Sequence, residues 1–204
     1  MALGPDRPRP PTIRAFVAVN LDPELKDALS AVQERLKATR ADVGWVKPEN
    51  LHLTLKFLGQ VEESRSGLIV EAVGAATQGY GSFRLELGGF RAFPQPRAAL
   101  VVWVGVSRGA EALAALQAKI EAGLEPLGFP REERPFTAHL TLGRVRGPAR
   151  REQLAVALTS MAAEALGEMV VDRIELMKSD LHPAGARYSV LQSFPLGSRL
   201  AVGE

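Results

Sequence analysis

The chain has 204 residues, 46% of them hydrophobic, a formal net charge of +2 and no cysteine. That length and apolar content suffice for a proper core, in one domain or two small lobes. The missing cysteines exclude disulfides, thiolate metal sites and a cysteine nucleophile, and sit comfortably with a reducing compartment. No apolar run is long enough to span a bilayer, and the first residues lack the apolar core of a secretion signal. A soluble, cytoplasmic protein is expected, with no membrane association, and the small positive charge permits a nucleic-acid partner without arguing for one.

Residues 1–12 combine prolines and arginines without periodicity and read as a disordered tail. Arg14 to Asn20 alternates as a strand and ends at Asp22-Pro23, an N-cap followed by proline at the first helical position. Leu25, Leu29, Val32 and Leu36 mark one stripe of a helix running to about Thr39. A short strand around Trp45 leads through Lys47-Pro48-Glu49-Asn50 into a strand beginning near His52. A helix near Glu62 to Thr77, a strand at Phe83 to Leu87 and an apolar strand at Ala98 to Val106 follow. The second half repeats the order. A helix at Ala110 to Leu124 precedes a strand at His139, then come a helix at about Ala149 to Ala165, a strand at Met169 to Lys178 and a last strand at Arg187 to Phe194. Adding 87 to the first strand and helix lands on Val101 to Ser107 and on Ala110 onward, so the chain carries an internal repeat. The expected fold class is α+β. It consists of two similar lobes related by a pseudo-twofold axis, each an antiparallel-rich sheet with helices on its outer face and a cleft between the sheets. These make one bilobal domain over 13–196, followed by a tail over 197–204.

The repeat carries its chemistry in one tetrapeptide written twice, His52-Leu53-Thr54-Leu55 and His139-Leu140-Thr141-Leu142, in a chain with three histidines. Side chains alternate along a strand, so His52 and Thr54 point one way and Leu51, Leu53, Leu55 and Phe57 the other, with His139 and Thr141 set likewise against Leu140 and Leu142. Each strand buries one face and offers an imidazole and a hydroxyl roughly 6 to 7 Å apart on the other. Two such strands across a groove suit one small oxygen-rich group, such as a phosphate. A single histidine in an apolar strand is usually a hydrogen-bonded core or edge residue; the matched pair with its threonines is what argues for a site. His182, in a turn-rich stretch without alternation, reads as a solvated loop residue.

Two imidazoles with ordinary values near 6.5 can serve together as general base and general acid, which displacement at phosphorus requires. The threonine hydroxyls can donate to non-bridging oxygens and an arginine can stabilise their charge. Metal is the main competing chemistry, but the partner two residues on is threonine, and neither motif holds an Asp, Glu or third histidine to complete a shell. A serine-type triad lacks both its G-x-S-x-G and a paired acid. Neither a metal nor another cofactor is expected.

The run Trp45 to Gly59, with Val46-Lys47-Pro48-Glu49-Asn50-Leu51-His52-Leu53-Thr54-Leu55-Lys56-Phe57-Leu58-Gly59, and the run Arg134-Pro135-Phe136-Thr137-Ala138-His139-Leu140-Thr141-Leu142-Gly143-Arg144 closely resemble the two-histidine phosphoesterase superfamily. Within it the chain looks like the RNA 2′,3′-cyclic phosphodiesterases, also called 2′-5′ RNA ligases, over about Arg14 to Phe194. The resemblance implies a bilobal fold and metal-independent hydrolysis of an RNA terminal 2′,3′-cyclic phosphate to a 2′-phosphate, with ligation as the reverse chemistry. It implies His139 as the base that activates water, His52 as the acid for the departing 3′-oxygen, Thr54 and Thr141 on the phosphate oxygens, and Arg144 as added positive charge. The partner is then RNA with a cyclic-phosphate end, met by a monomer that needs no protein partner.

Geometry qualifies some of these assignments. Strict alternation puts Gly143 rather than Arg144 on the face of His139, so Arg144 reaches the site only if the strand bends or bulges at that glycine. Lys56 has the parity of His52 and Thr54 and is read as a phosphate contact, against a solvated strand end. Phe16 and Trp45 are candidates to stack on a terminal base, with core or rim packing the better reading for Trp45. Arg134 is a candidate backbone contact. Two alternatives stay open. One keeps the site but takes small cyclic nucleotides, ADP-ribose cyclic phosphate or 2′-5′ linked oligonucleotides; the other is a non-catalytic RNA-binding protein.

Overall fold

The structure, a computed structural model, describes residues 10–183 and 185–197. Of the expected tails, residues 1–9 and 198–204 lie outside the described residues; the Pro11 carbonyl accepts from the Glu63 N–H at 2.9 Å, Thr12 already opens the first strand and Gly197 bridges Gly81. The strands are β1 (Thr12–Asn20), β2 (Val43–Trp45), β3 (His52–Glu62), β4 (Phe83–Phe93), β5 (Val101–Arg108), β6 (His139–Val145), β7 (Ala165–Val171), β8 (Arg173–His182) and β9 (Gly185–Pro195). The helices are α1 (Pro23–Lys37), α2 (Ser66–Thr77), α3 (Ala110–Leu124) and α4 (Arg151–Ser160).

The strands form two antiparallel sheets, β3-β1-β8-β9 and β2-β6-β5-β4-β7. Shifting by 87 residues carries β3 onto β6 and α1 onto α3, so the first sheet's order is repeated in the second as β6-β5-β4-β7, with β2 added outside β6. This is the two-lobed α+β architecture the repeat predicts. The helices, however, cross between lobes. The apolar stripe of α1 (Leu25, Leu29, Val32, Leu36) is buried, and α1 packs on β7 and α4, while α4 packs on β4. Gln33 at the base of that stripe donates from Nε2 to the carbonyls of Val46 (2.8 Å) and Leu142 (2.9 Å). Conversely α3, which follows β5, packs on β3 and α2, and α2 on β9. Each helix of the repeat thus leaves the sheet of its own strand and covers the other, and the lobes are not successive halves of the chain.

The helix-covered faces carry Val17, Val19 and Leu53 in one sheet and Leu85, Val104 and Leu140 in the other, all in a single continuous core. Phe16, Ala18 and Met177 form a separate cluster on the opposite face of the first sheet. Between the sheets, β3 and β6 contact one another, so the two motif strands are neighbours in space.

Three elements differ from the sequence reading. Met169 to Lys178 is two strands broken at Asp172, with β7 in the second sheet and β8 in the first; the apolar alternation runs on through a change of sheet that it cannot register. The strand from Phe83 passes Leu87 and continues to Phe93, because Gly88 and Gly89 form an irregularity against β5 rather than a turn, Gly89 taking φ of 74°. The helix after Ala149 is confined to Arg151–Ser160, and Ala165 already belongs to β7. Among the described residues no helix is long and apolar enough to cross a membrane.

Candidate active site

One irregularity, present twice, decides which side chains share a face with the histidines. Along the β1–β3 pair, Ala18 faces Thr54 and Val17 faces Lys56, which leaves Leu55 as an extra residue. Along β5–β6, Trp103 faces Thr141 and Val102 faces Gly143, which leaves Leu142 extra. Leu55 and Leu142 are the same position of the repeat. A bulge advances the strand by one residue without a partner, so alternation restarts on the opposite face. The burial of β3 follows: Lys56 is buried and Phe57 is 63% exposed. In β6 Gly143 is buried and Arg144 exposed.

Arg144 therefore joins the face of His139 and Thr141, the bulge lying at Leu142, one residue before the glycine. Gly143 is turned against β2, where a Cβ would come within 2.6 Å of Val43 Cγ1 and 3.0 Å of Trp45 Cε3. Lys56 leaves the face of His52 and Thr54, contrary to the expectation from parity. Its Nζ lies 2.6 Å from Glu121 Oε1 on α3 and donates to the Pro130 carbonyl at 2.6 Å. Lys56 is a buried tie between β3, α3 and the segment leading to β6, and it is not placed to meet a phosphate beside His52.

The two imidazoles are aimed by the same device. His52 Nδ1 donates to the Asn50 carbonyl at 2.8 Å, and His139 Nδ1 donates to the Thr137 carbonyl at 2.8 Å. With its proton on Nδ1, a neutral ring presents a bare Nε2; that of His52 lies 3.0 Å from the Thr54 hydroxyl, which can donate to it. Asn50 is itself fixed to β9, its Nδ2 donating to the Ala186 carbonyl at 2.8 Å. Burial pushes the His52 imidazole below its ordinary value; the Asn50 hydrogen bond opposes this and the charge of Lys26 adds to it.

Behind each ring stands an aromatic from the neighbouring strand, again at one repeat position. Phe16 is 4.8 Å from the His52 ring and Trp103 is 5.8 Å from that of His139. Phe16 is only 3% exposed, packed also on Tyr188 at 5.0 Å and Phe57 at 6.1 Å. The expectation that Phe16 offers a face to a base fails, because its face is taken by the histidine it backs. Sequence reasoning does not reach Phe57 or Tyr188: strict alternation assigns Phe57 to the wrong face, and Tyr188, edge-on to His52 at 5.3 Å, depends on a pairing between β8 and β9. Trp103 is legible as the counterpart of Phe16 in the repeat.

Trp45 is half-buried against the core. Arg134 is exposed on the irregular segment before β6. His182 is exposed as the last residue of β8. Among the described residues no three His, Cys, Asp or Glu side chains gather as a metal site. An open groove lined by Ser82, Arg84, Ser107, Arg108 and Gly109 takes in none of the candidate residues.

The model of the 2′-5′ RNA ligase superfamily matches residues 22–183, which include both motifs. The chain belongs to the 2′-5′ RNA ligase superfamily. Members similar to it include the RNA 2′,3′-cyclic phosphodiesterase of Methanothermobacter thermautotrophicus, 40% identical over 90% of this chain and 99% of its own. That of Archaeoglobus fulgidus is 36% identical over 89% and 99%. Among solved structures, TT0787 of Thermus thermophilus covers 92% of this chain and 100% of its own at a TM-score of 0.78 and 30% identity. Escherichia coli LigT in apo form covers 92% and 99% at a TM-score of 0.74 and 23% identity, a likeness of fold. The two-lobed superfamily fold is thus shared across nearly the whole described chain.

Proposed function

We propose that the protein hydrolyses the terminal 2′,3′-cyclic phosphate of RNA to a 2′-phosphate by acid–base catalysis between His52 and His139, with no metal ion. The observation that carries this is the duplicated motif strand with its duplicated bulge, which sets an imidazole and a hydroxyl on the helix-free face of each sheet and adds Arg144 on one side. Relatives of this chain bearing the name RNA 2′,3′-cyclic phosphodiesterase, at up to 40% identity, support the substrate class.

In this reading the cyclic phosphate lies between the two strands. Thr54 and Thr141 donate to its non-bridging oxygens and Arg144 offsets the charge that builds on them. His139 takes a proton from water through Nε2, the Nδ1 proton being held by Thr137. Water attacks phosphorus, the bond to the 3′-oxygen breaks, and His52 delivers a proton to that oxygen. Burial weakens the hold of His52 on a proton in the free protein, and the arriving anionic phosphodiester opposes this, negative charge nearby favouring the imidazolium that delivers the proton. Phe57, exposed beside this site and backed by Phe16, supplies the face on which the terminal base stacks. Ligation is the reverse of the same steps. The protein acts as a cytoplasmic monomer.

Replacing either imidazole by alanine is expected to lower kcat for a cyclic-phosphate-ended oligonucleotide by roughly 10² to 10⁴-fold, the usual worth of positioned proton transfer. Full turnover by either variant is incompatible with the scheme. Tight RNA binding without product by the unmodified protein would favour a binding protein that retains the cleft.

A further inference from the structure

The helix-free faces of the two sheets match closely at the histidines and diverge one strand further out. In the first sheet Phe16 pairs across to Met177, which is 4% exposed and covered by Tyr188 of β9. In the second sheet the counterpart pair is Trp103 with Arg91, and among the described residues nothing equivalent to Tyr188 covers it. The cause is strand length. β9 pairs with β8 along its whole run, whereas β7 pairs with β4 only from Phe83 to Gly88. The distal part of β4 is left with two exposed side chains on the histidine face, Arg91 and Phe93.

These two form a platform continuous with the site. Phe93 is 36% exposed, stacked on Trp103 at 4.6 Å and 19°, and edge-on to His139 at 5.3 Å. The Arg91 guanidinium lies 5.9 Å from the Trp103 ring. Across the sheet, Thr141, Trp103 and Arg91 occupy one row, and Arg144, Val101 and Phe93 a second. With strands about 4.8 Å apart, the Arg91 backbone stands about 10 Å from that of Thr141, and the arginine side chain, reaching over Trp103 between them, spans part of that gap. The Trp103 indole N–H beneath is buried with no hydrogen-bond partner among the described residues.

We infer that this half of the second sheet is a subsite for the nucleotide preceding the RNA terminus, its base stacked on Phe93 and its linking phosphate met by Arg91. The occupant follows from the chemistry: an open aromatic face and an exposed guanidinium, next to a phosphate-binding row, suit a base and a phosphodiester together. The first sheet has no room for a second nucleotide at the matching place, since Met177 and Tyr188 fill it. The polynucleotide therefore leaves the site over the second sheet. This inference rests on the proposed function and specifies its substrate as an oligonucleotide rather than a mononucleotide.

The test compares kcat/KM for a nucleoside 2′,3′-cyclic phosphate and for a dinucleotide with the same cyclic-phosphate end, in the unmodified protein, Arg91→Ala and Phe93→Leu. The unmodified protein is expected to favour the dinucleotide by about ten-fold or more. Each variant is expected to lose most of that preference, chiefly through KM, and Arg91→Ala to flatten the log–log salt dependence of dinucleotide binding by about 0.7. Equal use of both substrates by the unmodified protein, or variants that lower both in proportion, would overturn the subsite and leave the proposed function standing. No turnover of either substrate would overturn both.

Discussion

Each motif histidine is aimed by the carbonyl two residues before it, and the two rings nonetheless sit in different surroundings. His52 is enclosed by Phe16 and Tyr188, and burial holds its imidazole below the ordinary value. Because the folded value lies below the unfolded one, near 6.5, the unfolded chain takes the proton first as pH falls. The contribution of this residue to stability is complete above about 6.5 and declines below it until the folded imidazole titrates too. NMR titration should show His52 protonating below the ordinary imidazole value in the free protein and moving upward on addition of inorganic phosphate. Titration at or above the ordinary value, indifferent to phosphate, would remove the explanation of how His52 gains the proton that the proposed scheme asks it to deliver. The histidines and threonines are legible in sequence because two scarce residues recur in identical frames. Phe57 and Arg144 are misplaced or left conditional because their orientation depends on a bulge, which is a property of pairing with a neighbouring strand rather than of local residue types.

At the scale of the element, the bulge does opposite work in its two copies. In β6 it turns inward a glycine that closes against β2, and in β3 it turns inward a lysine that must then be neutralised. Lys56 is paired with Glu121, and both are buried. Burial pushes the Glu121 carboxyl up, but hydrogen bonds from Lys56 and from the Glu132 backbone N–H outweigh it and hold the group below the usual carboxylate range. Breaking a buried pair strands a charge, so Lys56→Met should destabilise the fold by about 3–5 kcal/mol in urea denaturation, whereas Lys56→Met combined with Glu121→Leu should recover most of the loss. A single variant with unchanged stability would show the pair to be incidental. Helices and strands themselves are mostly legible from periodicity and from the Asp22-Pro23 start. The exceptions, β4 running through Gly88-Gly89 and the break at Asp172, are places where the ladder overrides the local signal.

For the molecule as a whole, the 87-residue repeat foretells two similar lobes but not that their helices are exchanged. With α1 covering the second sheet and α3 the first, neither lobe can bury its core without the other half of the chain. Urea unfolding should accordingly be one transition, coincident by tryptophan fluorescence, which reports Trp45 and Trp103 in the second sheet, and by far-UV circular dichroism. Two separated steps would contradict the exchange as a source of cooperativity. The same interleaving keeps β3 and β6 together, and with them His52 and His139. The most direct test of this arrangement is to incubate the EDTA-treated protein with a defined RNA ending in a 2′,3′-cyclic phosphate and identify which hydroxyl keeps the phosphate. A 2′-phosphate with a free 3′-hydroxyl is the expected product; an untouched cyclic end, or a phosphate left on the 3′-oxygen, would contradict paired-histidine catalysis of this kind.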